Sequence, residues 1–247
     1  MAPDVAPHAA RPQALSWSLV IPVKVLARAK SRLTGLAGQQ RSDLALAMAG
    51  DTIAAATQAA TVAVVLVVTD DPDVSQIAAG LGALVLPDEP AAGLNEALAY
   101  GAARAQASWP ERGRAGLAGD VPSARPEELT AALAAAARLG AGFVPDADGT
   151  GTVLYAAAPG AQFRPQFGPA SRDRHLAAGA AEIGPARTGR NGTQLESTQP
   201  DGGTQPSTSL AGLRRDVDTI ANLREAAALG LGPRTRALLA ADASILA

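Results

Sequence analysis

The stretch SLVIPVKV, from Ser18 to Val25, is a short apolar run rich in β-branched residues, as found in buried parallel strands. A second such run, TVAVVLVVT from Thr61 to Thr69, follows an Ala-rich segment, Asp43–Gln58, whose apolar spacing predicts a helix. A strand, a helix and a second buried strand form the beginning of a parallel sheet with a right-handed crossover. This segment predicts the fold class α/β.

The remainder of the chain continues the alternation of strands and helices. Further helices are predicted over Leu94–Gln106 and from Pro126 onward. Short strands are predicted at Ala83–Leu86, Arg114–Ala118, Ala141–Val144 and Thr152–Ala157, and around Asp216 and Asp218 ahead of a helix capped by Thr219. We therefore expect a single-domain sandwich with a mostly parallel sheet.

Two segments do not follow this pattern. Residues 1–16 are rich in Ala and Pro and predict a disordered lead-in to a domain over residues 17–247. Within that domain, Gly184–Gly212 contains NGTQLESTQPDGGTQPSTS, which predicts a flexible surface insertion.

Composition excludes several classes of function. The 247 residues contain no cysteine, which rules out disulfides, zinc-thiolate sites and cysteine nucleophiles. The net charge of −2 argues against a nucleic-acid binder. No run of apolar residues is long enough for a membrane helix or a signal peptide. We expect a cytoplasmic protein without nucleic-acid or membrane partners.

A basic segment follows the first predicted strand. Of the 21 lysine and arginine residues, only Lys24 and Lys30 are lysines, and Arg28 and Arg32 lie beside them. Lysine provides a compact, flexible point charge that arginine does not imitate. The segment would suit a triphosphate, and a solvated basic loop is the alternative interpretation.

Acidic residues follow the other predicted strands. In Gly119-Asp120-Val121-Pro122, the glycine permits close approach and the carboxylate suits a hard cation. Asp216 and Asp218 are spaced so that both would point to one side of a strand. These three aspartates could hold the Mg²⁺ ions that neutralise phosphates during transfer. Further acidic pairs are Asp146 with Asp148, and Asp71 with Asp73, which we interpret as a turn and helix cap.

The segment FGPASRDRH, Phe167–His175, carries a hydroxyl and two guanidinium groups ahead of a predicted helix. Ser171 would be a helix cap, part of an anion site, or both. Asn95, at the start of another predicted helix, would be a cap or an amide that reads a purine edge. Histidine is found only at His8 and His175, so a histidine-based hydrolase would depend on His175 alone. A phosphate ester needs no such base, since its second pKa of about 6 leaves it mainly dianionic at neutral pH.

These motifs together resemble a known family. The chain carries, in order, IPVKVLARAKSRL, TDDPDV, GLNEAL, GDVPSARPEEL, FVPDADGTGT, FGPASRDRH and LRRDVDT. The combination resembles the phosphoenolpyruvate or 2-phospho-L-lactate guanylyltransferases of coenzyme F-420 biosynthesis, over about residues 17–230 outside the polar insertion. The resemblance implies a Rossmann-like nucleotidyltransferase fold and transfer of GMP from GTP to the phospho-acid, with release of pyrophosphate. The product would be enolpyruvoyl-2-diphospho-5'-guanosine when phosphoenolpyruvate is the acceptor.

The resemblance also implies roles for individual residues. By position, the phospho-acid would be bound by Thr152, Gly168 and Ser171, Mg²⁺ by Asp120, Asp216 and Asp218, and the GTP phosphates by Lys24, Lys30 and Arg32, with Asn95 near guanine. Lys24, Lys30 and Asp120 would act in catalysis. The product would pass to a downstream lactyl-transferring enzyme.

The sequence departs from the family pattern at the long insertion, at Asn222, where an acidic residue is common, and in the weakly apolar segment Arg114–Ala118. Two alternatives remain open. One is a sugar-phosphate or molybdopterin type of nucleotidyltransferase, although the basic segment lacks the glycine-rich loop of those enzymes. The other is a catalytically silent nucleotide-binding protein, because similar sheets support many functions.

Overall fold

The computed structural model describes residues 15–26, 33, 35–184 and 209–246. One seven-stranded sheet runs through this part of the chain. Its strands are β1 (Trp17–Pro22), β2 (Val62–Val68), β3 (Leu84–Leu86), β4 (Gly113–Leu117), β5 (Ala141–Val144), β6 (Leu154–Ala157) and β7 (Ala181–Glu182). The lead-in up to residue 14, the end of the basic segment with Lys30 and Arg32, and most of the polar insertion lie outside the described residues.

The strand order is β3-β2-β1-β4-β6-β5-β7. Strands β1 to β4 pair in parallel, and β7 runs parallel to β5. Strand β6 is antiparallel to both of its neighbours, β4 and β5. The prediction of an α/β fold with a mostly parallel sheet is therefore confirmed.

Eight helices accompany the sheet in the described ranges. They are α1 (Gly38–Gln58), α2 (Pro72–Gly80), α3 (Leu94–Ser108), α4 (Pro126–Leu139), α5 (Ser171–Ala177), α6 (Ala211–Arg214), α7 (Ile220–Leu229) and α8 (Pro233–Ala241), followed by a 3-10 turn (Ala243–Leu246). The predicted helices correspond to α1, α3, α4 and α7, and Thr219 caps α7 as predicted. Asn222 completes that cap, because its side-chain oxygen accepts a hydrogen bond from the backbone nitrogen of Thr219 at 3.0 Å. None of these helices is both long enough and apolar enough to cross a membrane.

The predicted strand around Asp216 and Asp218 is wrong. The four-residue helix α6 ends at Arg214, and the next residues belong to no strand. Val217 donates one backbone hydrogen bond to the carbonyl of Asp120, at 3.0 Å. No further strand pairing follows this bond, because the chain bends immediately afterwards into the cap of α7.

Both faces of the sheet are covered, which explains the nearly continuous apolar run in β1. Leu19 and Ile21 belong to the cluster packed beneath α4, whereas Val20 lies on the other face with Leu98 of α3. Helix α3 approaches β1 closely, since a Cβ atom on Gly101 would lie 2.5 Å from the Val20 side chain. Glycine at this position is what permits the two elements to touch.

The C-terminal helices pack against α1 through a separate apolar cluster that includes Leu44, Met48 and Leu223. A buried carboxylate also joins them, because Asp51 of α1 is 4% exposed. Its two oxygens accept backbone hydrogen bonds from Arg234 and Thr235 at 3.0 and 2.8 Å, which caps α8 from a distant part of the chain. Asp51 therefore fixes α8 on α1.

We expect the Asp51→Ala substitution to lower the free energy of unfolding by about 1–3 kcal/mol, because two buried backbone donors lose their acceptor. Urea unfolding measures this change. Glu111→Ala, at an exposed loop carboxylate, is the matched control and should stay within about 0.5 kcal/mol of the wild type. Equal stability of the two variants would contradict the role of Asp51.

Candidate active site

Chemically active side chains gather at one edge of the sheet. Lys24, Asp120 and Asp146 follow the carboxyl ends of β1, β4 and β5. Thr152 lies just before β6, and because β6 runs antiparallel to its neighbours, its beginning lies at that same edge. The sheet thus brings together residues separated by more than one hundred positions in the sequence.

The loop that carries Asp120 is fixed on two sides. Ala118 donates a backbone hydrogen bond to Val153 at 2.8 Å, which ties the loop to the beginning of β6. Val121 donates to the hydroxyl of Thr52 on α1 at 3.2 Å. A Cβ atom on Gly119 would lie 3.2 Å from the carbonyl of Pro22, so glycine lets the loop pass close to the end of β1.

The segment with Asp216 and Asp218 reaches this edge through backbone contacts. In addition to the bond from Val217 to Asp120, Ala147 donates to the carbonyl of Arg214 at 2.8 Å. The Arg214 side chain in turn donates to the backbone carbonyl of Asp146 at 2.8 Å. The segment is therefore held between the loops that follow β4 and β5.

Several carboxylates lie close together at this edge of the sheet. Burial is the main reason why the pKa of Asp216 is raised to about 7. The carboxylates of Asp120, Asp146 and Asp218 add to the increase, since each disfavours another negative charge nearby. A partly buried carboxylate with three other carboxylates nearby favours a cationic ligand.

The residues at this edge partly suit Mg²⁺. The oxygen donors and the surplus of negative charge fit a hard cation. In the described part of the chain, however, no three acidic, histidine or cysteine side chains are grouped closely enough to hold a metal ion on their own. Mg²⁺ is often held by one or two carboxylates and completed by water and substrate phosphates, and that mode is compatible with the arrangement. The three-aspartate ligand set stays a prediction.

Thr152 and Ser171 lie beside a buried histidine. The Thr152 hydroxyl oxygen is 3.0 Å from Nδ1 of His175, and the Nε2 of this ring accepts a hydrogen bond from the backbone nitrogen of Gln166 at 3.0 Å. Burial lowers the pKa of His175 to about 4, and the charge of Arg174 adds to the decrease. The Ser171 hydroxyl is fully buried and has no hydrogen-bond partner among the described residues.

Asn95 holds the turn that precedes Ser171. Its amide nitrogen donates to the carbonyl of Phe167 at 3.1 Å, and its amide oxygen accepts from the nitrogen of the same residue at 2.7 Å. Helix α3 is capped by Gly93 and not by Asn95, so the cap alternative is wrong. Gly168 follows with a φ of +112°, a left-handed value that favours glycine. Contact between Asn95 and guanine stays a prediction.

The two guanidinium groups of FGPASRDRH have protein partners. Arg172 pairs with Glu182 at 2.7 Å, and Arg174 donates to the carbonyls of Gln166 and Phe167 at 2.9 and 3.2 Å. Arg174 fixes the shape of the turn around Gly168, and Arg172 ties α5 to β7. The expectation that both serve an anion site is therefore not supported by their positions.

Only the beginning of the basic segment lies within the described residues. Lys24 is exposed beyond β1. The backbone nitrogen of Leu26 donates to the carboxylate of Asp71 at 2.9 Å, and the other oxygen of this carboxylate caps α2 as predicted. One buried aspartate thus anchors the segment at the sheet edge. Lys30 and Arg32 lie outside the described residues, so their contact with phosphates stays a prediction.

Sequence reasoning missed the structural roles of His175 and Asn95, whereas it did place Asp146 among the acidic pairs at strand ends. For His175 the available signal was its spacing of four residues from Ser171, which places both on one face of a helix. For Asp146 the signal was its position directly after a strand. The partners of Asn95 come from a segment 72 residues away, so no local signal indicated them.

The Asp216 pKa predicts a pH dependence of stability without divalent cations. The stabilisation from its protonation is fully present below the unfolded-state pKa of 3.8 and is lost as the pH rises through about 7. We expect Asp216→Asn to raise the melting temperature above pH 7 relative to the wild type, and to have a smaller effect near pH 4. Thermal unfolding measured across this range tests it.

Asp148→Asn serves as the control, because this carboxylate is 74% exposed. It should shift the melting temperature little and equally at both pH values. A wild-type profile that Asp216→Asn leaves unchanged would contradict the raised pKa of Asp216.

Comparison with known proteins places these features in context. A family model described as "Guanylyl transferase CofC like" matches residues 17–180. The phosphoenolpyruvate guanylyltransferase of Thermomonospora curvata is 52% identical over 226 residues, which cover 92% of this chain and 90% of that protein. The phosphoenolpyruvate guanylyltransferase of Streptomyces avermitilis is 47% identical over 227 residues, with coverage of 92% and 95%.

Solved structures share the fold at low sequence identity. A putative nucleotide-diphospho-sugar transferase from Desulfovibrio desulfuricans G20 superimposes with a TM-score of 0.60 at 15% identity, and covers 94% of this chain and 97% of its own. A nucleotidyl transferase from Methanothermobacter thermautotroptrophicus gives a TM-score of 0.53 at 17% identity, with coverage of 87% and 97%. These likenesses confirm a Rossmann-like nucleotidyltransferase fold.

Proposed function

The chain belongs to the family described as "Guanylyl transferase CofC like", and we propose that it transfers GMP from GTP to phosphoenolpyruvate with release of pyrophosphate. The observation that carries the proposal is the pairing of two features at one sheet edge. Acidic side chains around the half-buried Asp216 lie beside the Asp120 loop, which is tied through Ala118 and Val153 to the segment of Thr152. An acidic edge that favours a cation, next to the hydroxyls of Thr152 and Ser171, suits the joining of two phosphate-bearing substrates.

The reaction balances without a protein base. A phosphate oxygen of the acid attacks the α-phosphorus of GTP, a new P–O–P bond forms, and the bond to the β-phosphate breaks as pyrophosphate leaves. The attacking phosphate is already mainly dianionic at neutral pH. The protein therefore has to position two anionic substrates and to offset their charge.

Mg²⁺ would offset that charge when bound, and we propose that Asp120 with Asp216 or Asp218 holds it. The backbone bond from Val217 to Asp120 supports this choice, because it places the three carboxylates on two adjoining loops. Two carboxylates leave coordination positions for phosphate oxygens, in keeping with the absence of a closed three-ligand group in the described ranges.

The phospho-acid would lie against Thr152, Gly168 and Ser171. Ser171 supports this placement because its hydroxyl has no protein partner among the described residues, and a buried hydroxyl without a partner is costly unless a ligand satisfies it. The names of the relatives favour phosphoenolpyruvate as the acceptor, and 2-phospho-L-lactate is the alternative.

GTP would enter from the side of β1. The position of Lys24 at the end of this strand and the anchoring of Leu26 by Asp71 support the basic segment as the phosphate side of the site. The roles of Lys30 and Arg32, hand-over to a downstream lactyl-transferring enzyme, and a cytoplasmic location stay predictions.

We expect pyrophosphate release that requires GTP, Mg²⁺ and phosphoenolpyruvate together, and a rate lowered on the order of 100-fold or more by Asp120→Asn, because charge stabilisation at the transferring phosphate is lost. Asp73→Asn, on the exposed first turn of α2, is the matched control and should keep the wild-type rate. A coupled assay measures pyrophosphate, with the downstream lactyl-transferring enzyme present to consume the product.

Release that occurs with 2-phospho-L-lactate and not with phosphoenolpyruvate would correct the acceptor. Absence of release with either acid would contradict the guanylyltransferase proposal. A wild-type rate in Asp120→Asn would remove this carboxylate from the metal site.

We expect Ser171→Ala to raise the KM for phosphoenolpyruvate about tenfold, because a hydrogen bond to a charged group is lost. The KM for GTP should not change. The same substitution should leave the melting temperature unchanged or slightly higher, because it deletes a buried hydroxyl that has no partner among the described residues. Steady-state kinetics and thermal unfolding test both statements, and a large loss of stability would show that the hydroxyl serves the fold instead.

A further inference from the structure

The proposed reaction leaves His175 without a role, although it is completely buried at the edge of the candidate acceptor site. The imidazole ring stacks on Tyr155 with 4.7 Å between ring centroids and an angle of 12°, and on Phe143 with 5.4 Å and 27°. The edge of Phe167 completes the enclosure. These aromatic contacts fix the plane of the ring.

The hydrogen bonds of the ring determine which nitrogen carries the proton. Nε2 lies 3.0 Å from the backbone nitrogen of Gln166, which can only donate, so Nε2 must accept and carries no proton. A neutral imidazole then has its proton on Nδ1. This atom lies 3.0 Å from the Thr152 hydroxyl oxygen, so His175 donates a hydrogen bond to Thr152.

The direction of that bond has a consequence for Thr152. Its oxygen accepts from His175, and among the described residues the imidazole is the one hydrogen-bond partner of this hydroxyl. The hydroxyl proton is therefore left for another acceptor. Thr152 is 8% exposed, so its side chain lies at the margin of the core and not deep within it.

We propose that His175 is a positioning residue for the acceptor site: by donating from Nδ1 to Thr152, it turns the hydroxyl of Thr152 into a donor aimed at an ionised oxygen of the phospho-acid. This inference rests on the proposed function. An ionised carboxylate or phosphate oxygen, which can only accept, forms a stronger hydrogen bond with such a donor than a neutral group does. The arrangement would therefore favour the anionic acceptor without placing a positive charge beside it.

The same histidine also supports the acceptor site through the backbone. It accepts from Gln166, directly before Phe167 and Gly168, while Asn95 bonds to the backbone of Phe167. His175 thus touches both sides of the candidate site, the Thr152 side through Nδ1 and the Gly168 side through Nε2. A histidine that only filled space in the core would not require the bond from Nδ1 to Thr152 or the bond from Gln166 to Nε2.

Nitrogen-15 NMR of the histidine rings in the wild-type protein tests the protonation directly at neutral pH. The chain has two histidines, so His8→Gln leaves the signals of His175 alone and serves as the control. We expect a neutral ring with a protonated Nδ1 and an unprotonated Nε2. A proton on Nε2, or a cationic ring, would overturn the inference.

A double-mutant cycle tests whether His175 acts through Thr152. The single variants are His175→Phe, which keeps an aromatic ring in the stack, and Thr152→Val, and the third protein carries both. We expect each variant to raise the KM for phosphoenolpyruvate about tenfold and to leave the KM for GTP unchanged. The rise in the double variant should be smaller than the product of the two single effects, because both changes remove the bond between Nδ1 of His175 and Thr152.

Effects that multiply in the double variant, or an equal rise in both KM values, would indicate a purely structural histidine and overturn the inference. If His175→Phe fails to fold, the NMR measurement on the wild-type protein still tests the inference about His175. Failure of the proposed function is distinguishable, because it appears as a wild type that releases no pyrophosphate with any phospho-acid. An active wild type with its His175 proton on Nε2 contradicts this inference alone.

Discussion

The antiparallel placement of β6 between β4 and β5 is the constraint on which the candidate active site depends. In a wholly parallel sheet the beginning of β6 would lie at the opposite edge from Asp120. Because β6 is reversed, Thr152 lies at the same edge, and the bond from Ala118 to Val153 ties its segment to the Asp120 loop. The sheet topology therefore places the Asp120 loop, where we propose the cation, next to the Thr152 segment, where we propose the phospho-acid.

The two sides differ in their electrostatics. Around Asp216, burial and neighbouring carboxylates raise a pKa to about 7, which is costly for the isolated protein and favourable once a cation binds. Around His175, burial keeps an imidazole neutral, and its role is to orient neighbouring groups. Negative charge is thus concentrated where phosphate-bound metal would be held, whereas the acceptor site relies on hydroxyl and amide donors. This division suits a reaction in which two anionic substrates must approach each other.

Much of this arrangement could be predicted from the sequence, because strand ends are where α/β sheets bind ligands and apolar runs such as that of β1 are easily identified. Asp120 was identified in this way, Thr152 was identified only through the family resemblance, and Asp71 was correctly interpreted as a helix cap. The prediction of a strand around Asp216 was wrong. That segment is joined to Asp120 by a single backbone hydrogen bond and not by a ladder of strand pairing. The partners of His175 and Asn95 come from separate segments that only the folded chain brings together. The local spacing of apolar and polar residues does not indicate contacts between distant segments.

The most direct test of the account is a crystal structure of the protein with Mg²⁺, phosphoenolpyruvate and a GTP analogue that cannot release pyrophosphate. The account predicts the triphosphate at the carboxyl edge of β1 and β4, a metal ion on Asp120, and the carboxylate or phosphate of the acid within hydrogen-bond distance of Thr152 and Ser171. An acid bound away from those two hydroxyls, or a nucleotide at any other edge of the sheet, would contradict it.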